Sequence, residues 1–371
     1  MLVAHRTSDT RDPLPTAAER KFLKKIFQQQ TVNKRNLKVS STLYYFNLYR
    51  RAIGSISSGG MTSQEHDSTF KMSENDEGLQ PDPNFCLVEG LPLPIFRPTT
   101  EEWQKHITDL RNMELRHDDI LLCTYPKSGT HWLWEVTSML VQGKAEYETR
   151  RQEQLMVDFV DVDLIEAMAS PRILNTHLPF SMLPWQQIRD KSIKVFHVYR
   201  NPKDTAVSFY FMMKEFIKAR RNVLLEFPDF FERYLNGKIN YGSQFSYLRQ
   251  FHDFTQENPN IPALSISYED MKRSPSDKIK QIAEFLEVPA SQQLCEEIAE
   301  ACSFQNMKKQ DVNKAVIEFT KQKNIPHPKL NMYRKGEVGD WKNYLTVAMS
   351  EQMDAVVEKE LKDLPYVIQY L

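Results

Sequence analysis

Lys127, Ser128, Gly129 and Thr130 stand between an apolar run, Ile120 to Thr124, and a stretch with helical spacing, Leu133, Val136, Thr137 and Leu140. A short strand, a loop bearing a cation and hydroxyls, and a helix start together offer backbone N–H groups and positive charge to a phosphate. Lys127 supplies the charge, Gly129 lets the backbone approach, and Ser128 and Thr130 bring hydroxyls. The lysine precedes the glycine and the chain holds no G-x-x-x-x-G-K-[ST], which points away from triphosphate hydrolysis. Arg200 and Ser208 flank the start of another helical stretch, where they can grip a second phosphate. Arg334-Lys335-Gly336 sets two adjacent cations beside a backbone-exposing glycine, a combination suited to a dianion. His177 follows the strand-like Arg172-Ile173-Leu174-Asn175-Thr176. Alone, such a histidine reads as a satisfied core or surface residue.

These residues need a scaffold that gathers them. Strand-like runs occur at 120–124, 172–176, 193–199 and 263–267, with helical patterns between them. Such alternation predicts an α/β fold of three layers, a mostly parallel central sheet with helices on both faces. In such sheets ligands sit beyond the carboxyl ends of the strands, where the Lys127 loop, His177, Arg200 and Tyr268 all fall. A helix is expected from Thr205, with Asp204 as its cap, and another from Pro275, whose apolar stripe is Ile279, Ile282, Ala283 and Leu286. His197 lies mid-strand and reads as core. The aromatic and Met residues between Phe209 and Tyr234 also read mainly as core, with some lining a pocket.

Tyr125-Pro126-Lys127-Ser128-Gly129-Thr130-His131-Trp132 resembles the 5′-phosphosulfate-binding loop of the cytosolic sulfotransferases, which use 3′-phosphoadenosine-5′-phosphosulfate (PAPS). Further blocks follow in the family's order over roughly residues 85–360. Thr176-His177-Leu178-Pro179 matches the segment carrying the catalytic histidine. Arg200-Asn201-Pro202-Lys203-Asp204 through Ser208 matches a 3′-phosphate block. Tyr268-Glu269-Asp270 and Phe304 match adenine contacts, and Tyr333-Arg334-Lys335-Gly336 through Trp341 matches the C-terminal 3′-phosphate block.

The resemblance implies a P-loop-like sulfotransferase fold and transfer of a sulfuryl group from PAPS to a hydroxyl or amine of a small hydrophobic acceptor. His177 would be the general base and Lys127 would stabilise the leaving phosphate. Lys127, Ser128, Gly129, Thr130, His131, Trp132, Arg200, Ser208, Tyr268, Phe304, Arg334, Lys335 and Gly336 would hold the donor. Phe159 and Phe211 fall where family members place acceptor-contacting aromatics. Lys342, Thr346, Val347 and Glu351 match a short dimerisation motif, implying a homodimer.

The chain departs from the family at three positions. Asn175 stands where phenol- and steroid-sulfating members commonly have Lys, His131 where the loop's second Thr would be, and Cys302 where Thr is usual. These departures leave open a nucleotide-binding pseudo-sulfotransferase. A P-loop-type small-molecule kinase is disfavoured by the missing Walker sequence.

Composition bounds the rest. Hydrophobic residues at 41% and charged ones at 26% are ordinary globular values. No apolar segment reaches the roughly 18 residues of a membrane span. Cys86, Cys123, Cys295 and Cys302 show no paired or metal-ligand spacing, so reduced thiols, no metal and a cytoplasmic compartment are expected, with no nucleic-acid partner. Residues 1–60 carry 11 Lys+Arg against 3 Asp+Glu, a net of +8, whereas the other 311 carry 37 against 46, a net of −9. This basic extension reads as a flexible tail, or as a gene-model extension ahead of a start at Met61; a mitochondrial targeting signal is the alternative, weakened by Asp9, Asp12 and Glu19. Residues 61–84 read as a polar linker, residues 85–371 as the sulfotransferase domain, and residues 311–328 as a lid.

Overall fold

The computed structural model describes residues 85–368 apart from 96, 98, 149–155, 222, 310–332 and 367, all within one unit of the chain. The extension, the linker and the lid expected from the sequence lie outside the described residues.

Strands β1 (Phe85–Val88) and β2 (Leu91–Pro94) pair antiparallel, with a turn through Glu89 and Gly90. Helix α1 (Thr100–Arg111) begins at Thr99, whose hydroxyl accepts from Glu102 N at 3.1 Å, and buries Trp103, Ile107 and Leu110. Then come β3 (Ile120–Thr124), α2 (Thr130–Gln142), α3 (Val162–Glu166), β4 (Ile173–Thr176), α4 (Trp185–Asp190) and β5 (Lys194–Tyr199). The chain continues through α5 (Pro202–Arg221), α6 (Phe227–Leu235), α7 (Gln244–Glu257), β6 (Ala263–Ser267), α8 (Tyr268–Arg273) and α9 (Pro275–Leu286). It closes with α10 (Gln292–Ala301), α11 (Phe304–Lys309) and α12 (Val347–Leu361).

Among the described residues the second sheet is parallel throughout, in the order β4-β3-β5-β6. Leu121 pairs with Leu174 on one side and Val195 on the other. All five residues of β3 are buried, so both faces of this strand are covered, as parallel sheets require. Each of its Ile and Leu side chains contributes about 1.5–3 kcal/mol by leaving water. His197 belongs to this core: it is fully buried, its ring stacks on Phe251 at 4.0 Å, and burial pushes its pKa down to about 3.

One buried ion pair fixes the edge of the sheet remote from the strands' carboxyl ends. Arg172 donates from Nε and Nη2 to the two oxygens of Asp119, at 2.7 and 2.5 Å, and from Nη1 and Nη2 to the carbonyls of Ile165 and Glu114. Both side chains are 0% exposed. Arg172→Ala leaves a buried carboxylate without its cation, and is expected to cost about 3–5 kcal/mol. The urea midpoint of the full chain should fall accordingly.

Helix α5 starts three residues earlier than expected. Asn201 is its cap, accepting from Lys203 N at 2.9 Å, and Pro202 takes the first position. Asp204 therefore lies inside the first turn and does not cap the helix. Its carboxylate accepts instead from Gly339 N at 2.7 Å and Trp341 N at 3.0 Å, fastening the C-terminal segment to α5. Lys203, 2% exposed, donates to Ser350 and Asp354 of α12 and lies 4.4 Å from the Trp341 ring centroid.

Candidate active site

Because the sheet is parallel, β3, β4, β5 and β6 end at one edge and deliver the Lys127 loop, His177, Arg200 and Tyr268 there. The loop turns back sharply, with Lys127 at φ 68° and Gly129, which precedes α2, at φ 121°. A non-glycine residue held in the left-handed region marks backbone strain of the kind concentrated at functional sites. At Gly129 the requirement is also steric, since a Cβ there would meet Tyr268 Cδ2 at 2.9 Å.

Thr124, the last residue of β3, links the loop to His177. Its Oγ1 lies 2.6 Å from Thr130 Oγ1, tying the start of α2 to the strand, and its carbonyl lies 2.6 Å from His177 Nδ1. A carbonyl can only accept, so Nδ1 carries the proton and Nε2 keeps a lone pair. Burial, opposed by that hydrogen bond and reinforced by the charges of His131 and Lys127, pushes the His177 pKa down to about 4. The ring is therefore neutral at physiological pH, with Nε2 as a proton acceptor. The Tyr241 ring stands edge-on to it at 5.2 Å.

Lys127 is held low for related reasons. Burial first, then the charges of Arg200 and Arg334, push its pKa to about 8. Arg200 spans three of the sequence blocks. It donates to the carbonyls of Lys127 (3.0 Å) and Glu337 (3.3 Å), and its guanidinium lies 4.2 Å from the Tyr268 ring centroid. Glu269, buried beside it, accepts from Asn201 N at 2.9 Å and from the Ser267 hydroxyl at 3.0 Å.

Arg334 and Lys335 share one internal partner. Arg334 Nη2 and Lys335 Nζ each donate to a different oxygen of Asp340, the lysine at 2.6 Å. Arg334 also lies 4.7 Å from the Phe211 ring centroid. Phe211 thus lies on the Arg334 side of the site, and Ser208, one turn earlier on α5, shares its face. Phe304 packs against Gly336, where an added Cβ would meet Phe304 Cδ2 at 2.2 Å, and Gly336 itself has φ 67°. Gly336→Ala must shift the aromatic or the loop, at about 1–3 kcal/mol. Calorimetry with 3′-phosphoadenosine-5′-phosphate (PAP) should show a Kd raised by roughly one to two orders of magnitude.

The other expected positions fall nearby. The His131 and Tyr333 rings meet edge-on at 5.7 Å, Trp132 is half-buried in the first turn of α2, and Phe159 is half-buried beside Asp158. Cys302 is buried against Met139 of α2, with the sulfurs 3.8 Å apart. Thr124, Asp158 and Asp340 were not singled out from sequence. Asp340 lies inside a block whose neighbours were, which is the one signal that could have found it.

The site's fit to a phosphorylated ligand can be judged from its own atoms. Ser128 Oγ, Arg200 Nε and Arg334 Nε are buried without a hydrogen-bond partner among the described residues. Unmet polar groups among four cations suit an anion with many acceptor oxygens. An anion cradle at the strand ends with a neutral imidazole beside it can bind a phosphorylated ligand and accept a proton next to it.

A sulfotransferase domain is matched over residues 117–365. Sulfotransferase 1A1 of Mus musculus is 34% identical over 286 residues, 72% of this chain and 91% of the relative. Sulfotransferase 1C2 of Oryctolagus cuniculus is 33% identical, covering 74% and 92%, and the amine sulfotransferase of the same species 31%, covering 70% and 86%. The crystal structure of mouse sulfotransferase SULT7A1 complexed with PAP superposes with a TM-score of 0.59 at 26% identity, over 74% of this chain and 93% of that one. Retinol dehydratase in complex with androsterone and PAP shares the fold at 21% identity and a TM-score of 0.60, over 76% of this chain and 90% of that one. The chain belongs to the sulfotransferase family. It is an enzyme of sulfuryl transfer, with PAPS as the donor.

Proposed function

We propose that the chain moves the sulfuryl group of PAPS onto a hydroxyl or amine of a small hydrophobic acceptor, with His177 as general base and Lys127 at the leaving phosphate. The observation that carries this reading is Thr124, which holds the imidazole through its carbonyl and the phosphate loop through its hydroxyl. A proton acceptor and an anion cradle fixed to one residue are set for in-line displacement.

The donor would place its 5′ side against the Lys127-Ser128-Gly129-Thr130 loop, with His131 and Trp132 following, and its 3′-phosphate between Arg200, Ser208, Arg334, Lys335 and Gly336. Tyr268 and Phe304 would flank the adenine. His177 Nε2 takes the acceptor's proton as the acceptor oxygen or nitrogen bonds to sulfur. The bond from sulfur to the bridging phosphate oxygen breaks, and Lys127 meets the charge that gathers on that oxygen. A neutral imidazole accepts the proton without prior deprotonation.

The aromatic surroundings of the site favour an apolar acceptor, and the amine sulfotransferase among the relatives keeps amines in range. No helix of the described residues is long and apolar enough to cross a membrane. Cys123, Cys295 and Cys302 are buried thiols, which supports a cytoplasmic setting. A homodimer through Lys342, Thr346, Val347 and Glu351 is part of the proposal. All four are exposed, and Val347, at 75%, is a large apolar residue left in water.

Calorimetry of the full chain with PAP, against adenosine-5′-phosphate as control, tests the donor site. Binding that requires the 3′-phosphate is expected. A folded sample that binds neither would overturn the assignment. Turnover of PAPS with 2-naphthol, an aliphatic alcohol and an aryl amine then sorts the acceptor.

A further inference from the structure

Asp158 is a fully buried carboxylate that the reaction described above does not use. It lies on a segment running along the outer edge of β4, where Met156 bridges Asn175 and Val157 N donates to the Asn175 carbonyl at 3.0 Å. Its Oδ1 accepts from the Thr176 hydroxyl at 2.5 Å and its Oδ2 from His177 N at 3.1 Å. Thr176 Oγ1 in turn accepts from Leu178 N at 2.9 Å. The Tyr241 hydroxyl is close enough to favour the charged form of Asp158, and the same tyrosine's ring abuts His177. One carboxylate thus organises the backbone on both sides of the histidine and faces the ring that packs against it.

Stability alone does not account for a charge here. Burying an ionised carboxylate costs several kcal/mol unless a cation offsets it, and among the described residues no Lys or Arg is among the causes of the Asp158 shift. An uncharged residue would fill the space at lower cost.

We propose that Asp158 is a positioning residue for His177, its carboxylate fixing the His177 peptide so that the Thr124 carbonyl can hold Nδ1 and Nε2 stays at the acceptor. This deepens the reading of His177 as the base and rests on it. The histidine then has tethers from three directions: β3 at Nδ1, the Asp158 segment at the backbone, and Tyr241 at the ring edge. Without the second, the imidazole keeps only the Nδ1 hydrogen bond and the Tyr241 ring contact while its backbone is loosened, and displacements near 1 Å cost about a hundredfold in rate.

Geometry also gives Asp158 a signature of its own. Burial pushes its pKa up to about 6, against the hydrogen bonds from Thr176 and His177 N and the nearby Tyr241 hydroxyl. The titratable groups facing it are Cys123 of β3, Tyr247 of α7, Tyr241 and His177, with His131 and Lys127 beyond the histidine. A proton on Asp158 removes an acceptor from this set, so kcat should fall on the acid side with an apparent pKa near 6, well above the value of about 4 for His177.

The test uses the full chain, PAPS, and whichever of 2-naphthol, the aliphatic alcohol or the aryl amine is turned over. Asp158→Asn should lower kcat about ten- to a hundredfold, leave PAP affinity within twofold, and abolish the limb near pH 6. In a His177→Ala background it should cost nothing further, because the two act as one unit. Near-wild-type kcat in Asp158→Asn, or equal losses with and without His177, would overturn the proposal. If the variant does not fold, the wild-type profile decides: a flat acid side down to pH 5 refutes the assignment, and a limb near 6 supports it. Full turnover in His177→Ala would instead bring down the general-base reading itself, so the two failures are distinguishable.

Discussion

Replacing His177 by Ala is expected to lower kcat by about 10²–10⁴-fold while PAP binds as before. Among the described residues the imidazole is hydrogen-bonded to the cradle through Thr124, and the hydrogen bonds that Arg200, Arg334 and Lys335 make to Lys127, Glu337 and Asp340 do not involve it. Its low pKa sets the sign of the pH effect. Acid protonates a group with a pKa of about 4 only below that value, so across the physiological range the base is available and loss of the residue removes a working proton acceptor. Single-turnover kinetics with PAPS, alongside calorimetry with PAP, separates the effect on chemistry from that on binding. A variant that binds PAP and retains its turnover would remove the histidine from the mechanism. A wild-type chain that binds PAP and turns over none of the acceptors would favour the pseudo-sulfotransferase reading.

Lys127→Met should lose about 10²–10³-fold in kcat and weaken the donor as well, because in the proposed mechanism this cation would meet the phosphate in the ground state and the leaving oxygen afterwards. Burial and the charges of Arg200 and Arg334 hold Lys127 at about 8. Above that pH the unliganded lysine is increasingly neutral, whereas a bound phosphate favours its charged form. Binding must then take up a proton, and affinity for PAP should fall with rising pH by up to about tenfold per unit. Calorimetry in two buffers of different ionisation enthalpy reads the proton uptake directly. In Lys127→Met both the uptake and the slope above pH 8 should vanish. If wild type shows neither, the cation at the 5′ side is another residue.

The strands that carry the site were legible because strands buried on both faces read as unbroken apolar runs, as Ile120 to Thr124 does. The residues of the cradle were legible because each block keeps its own short pattern. Strands β1 and β2 were harder, since Pro92 and Pro94 interrupt the second run and proline normally argues against a strand. The start of α5 was missed because Asp204 is a good cap in isolation, and only the Gly339 and Trp341 amides, more than 130 residues later, show what it binds. Thr124 and Asp158 escaped for the same reason. Their partners lie 53 and 19 residues away, and no local periodicity encodes a hydrogen bond between segments that only the assembled sheet brings together.

The carboxylate of Asp340 bears on how quickly the donor arrives. PAPS is a polyanion, and its long-range attraction follows the summed field at the mouth of the site rather than any one contact. Asp340 cancels part of the charge of Arg334 and Lys335 before the nucleotide comes near. The pull on an approaching donor therefore comes mainly from Lys127 and Arg200, both set back among the strand ends. Because one carboxylate offsets only part of the four cations, added salt should still slow capture, though less steeply than an uncancelled cluster would.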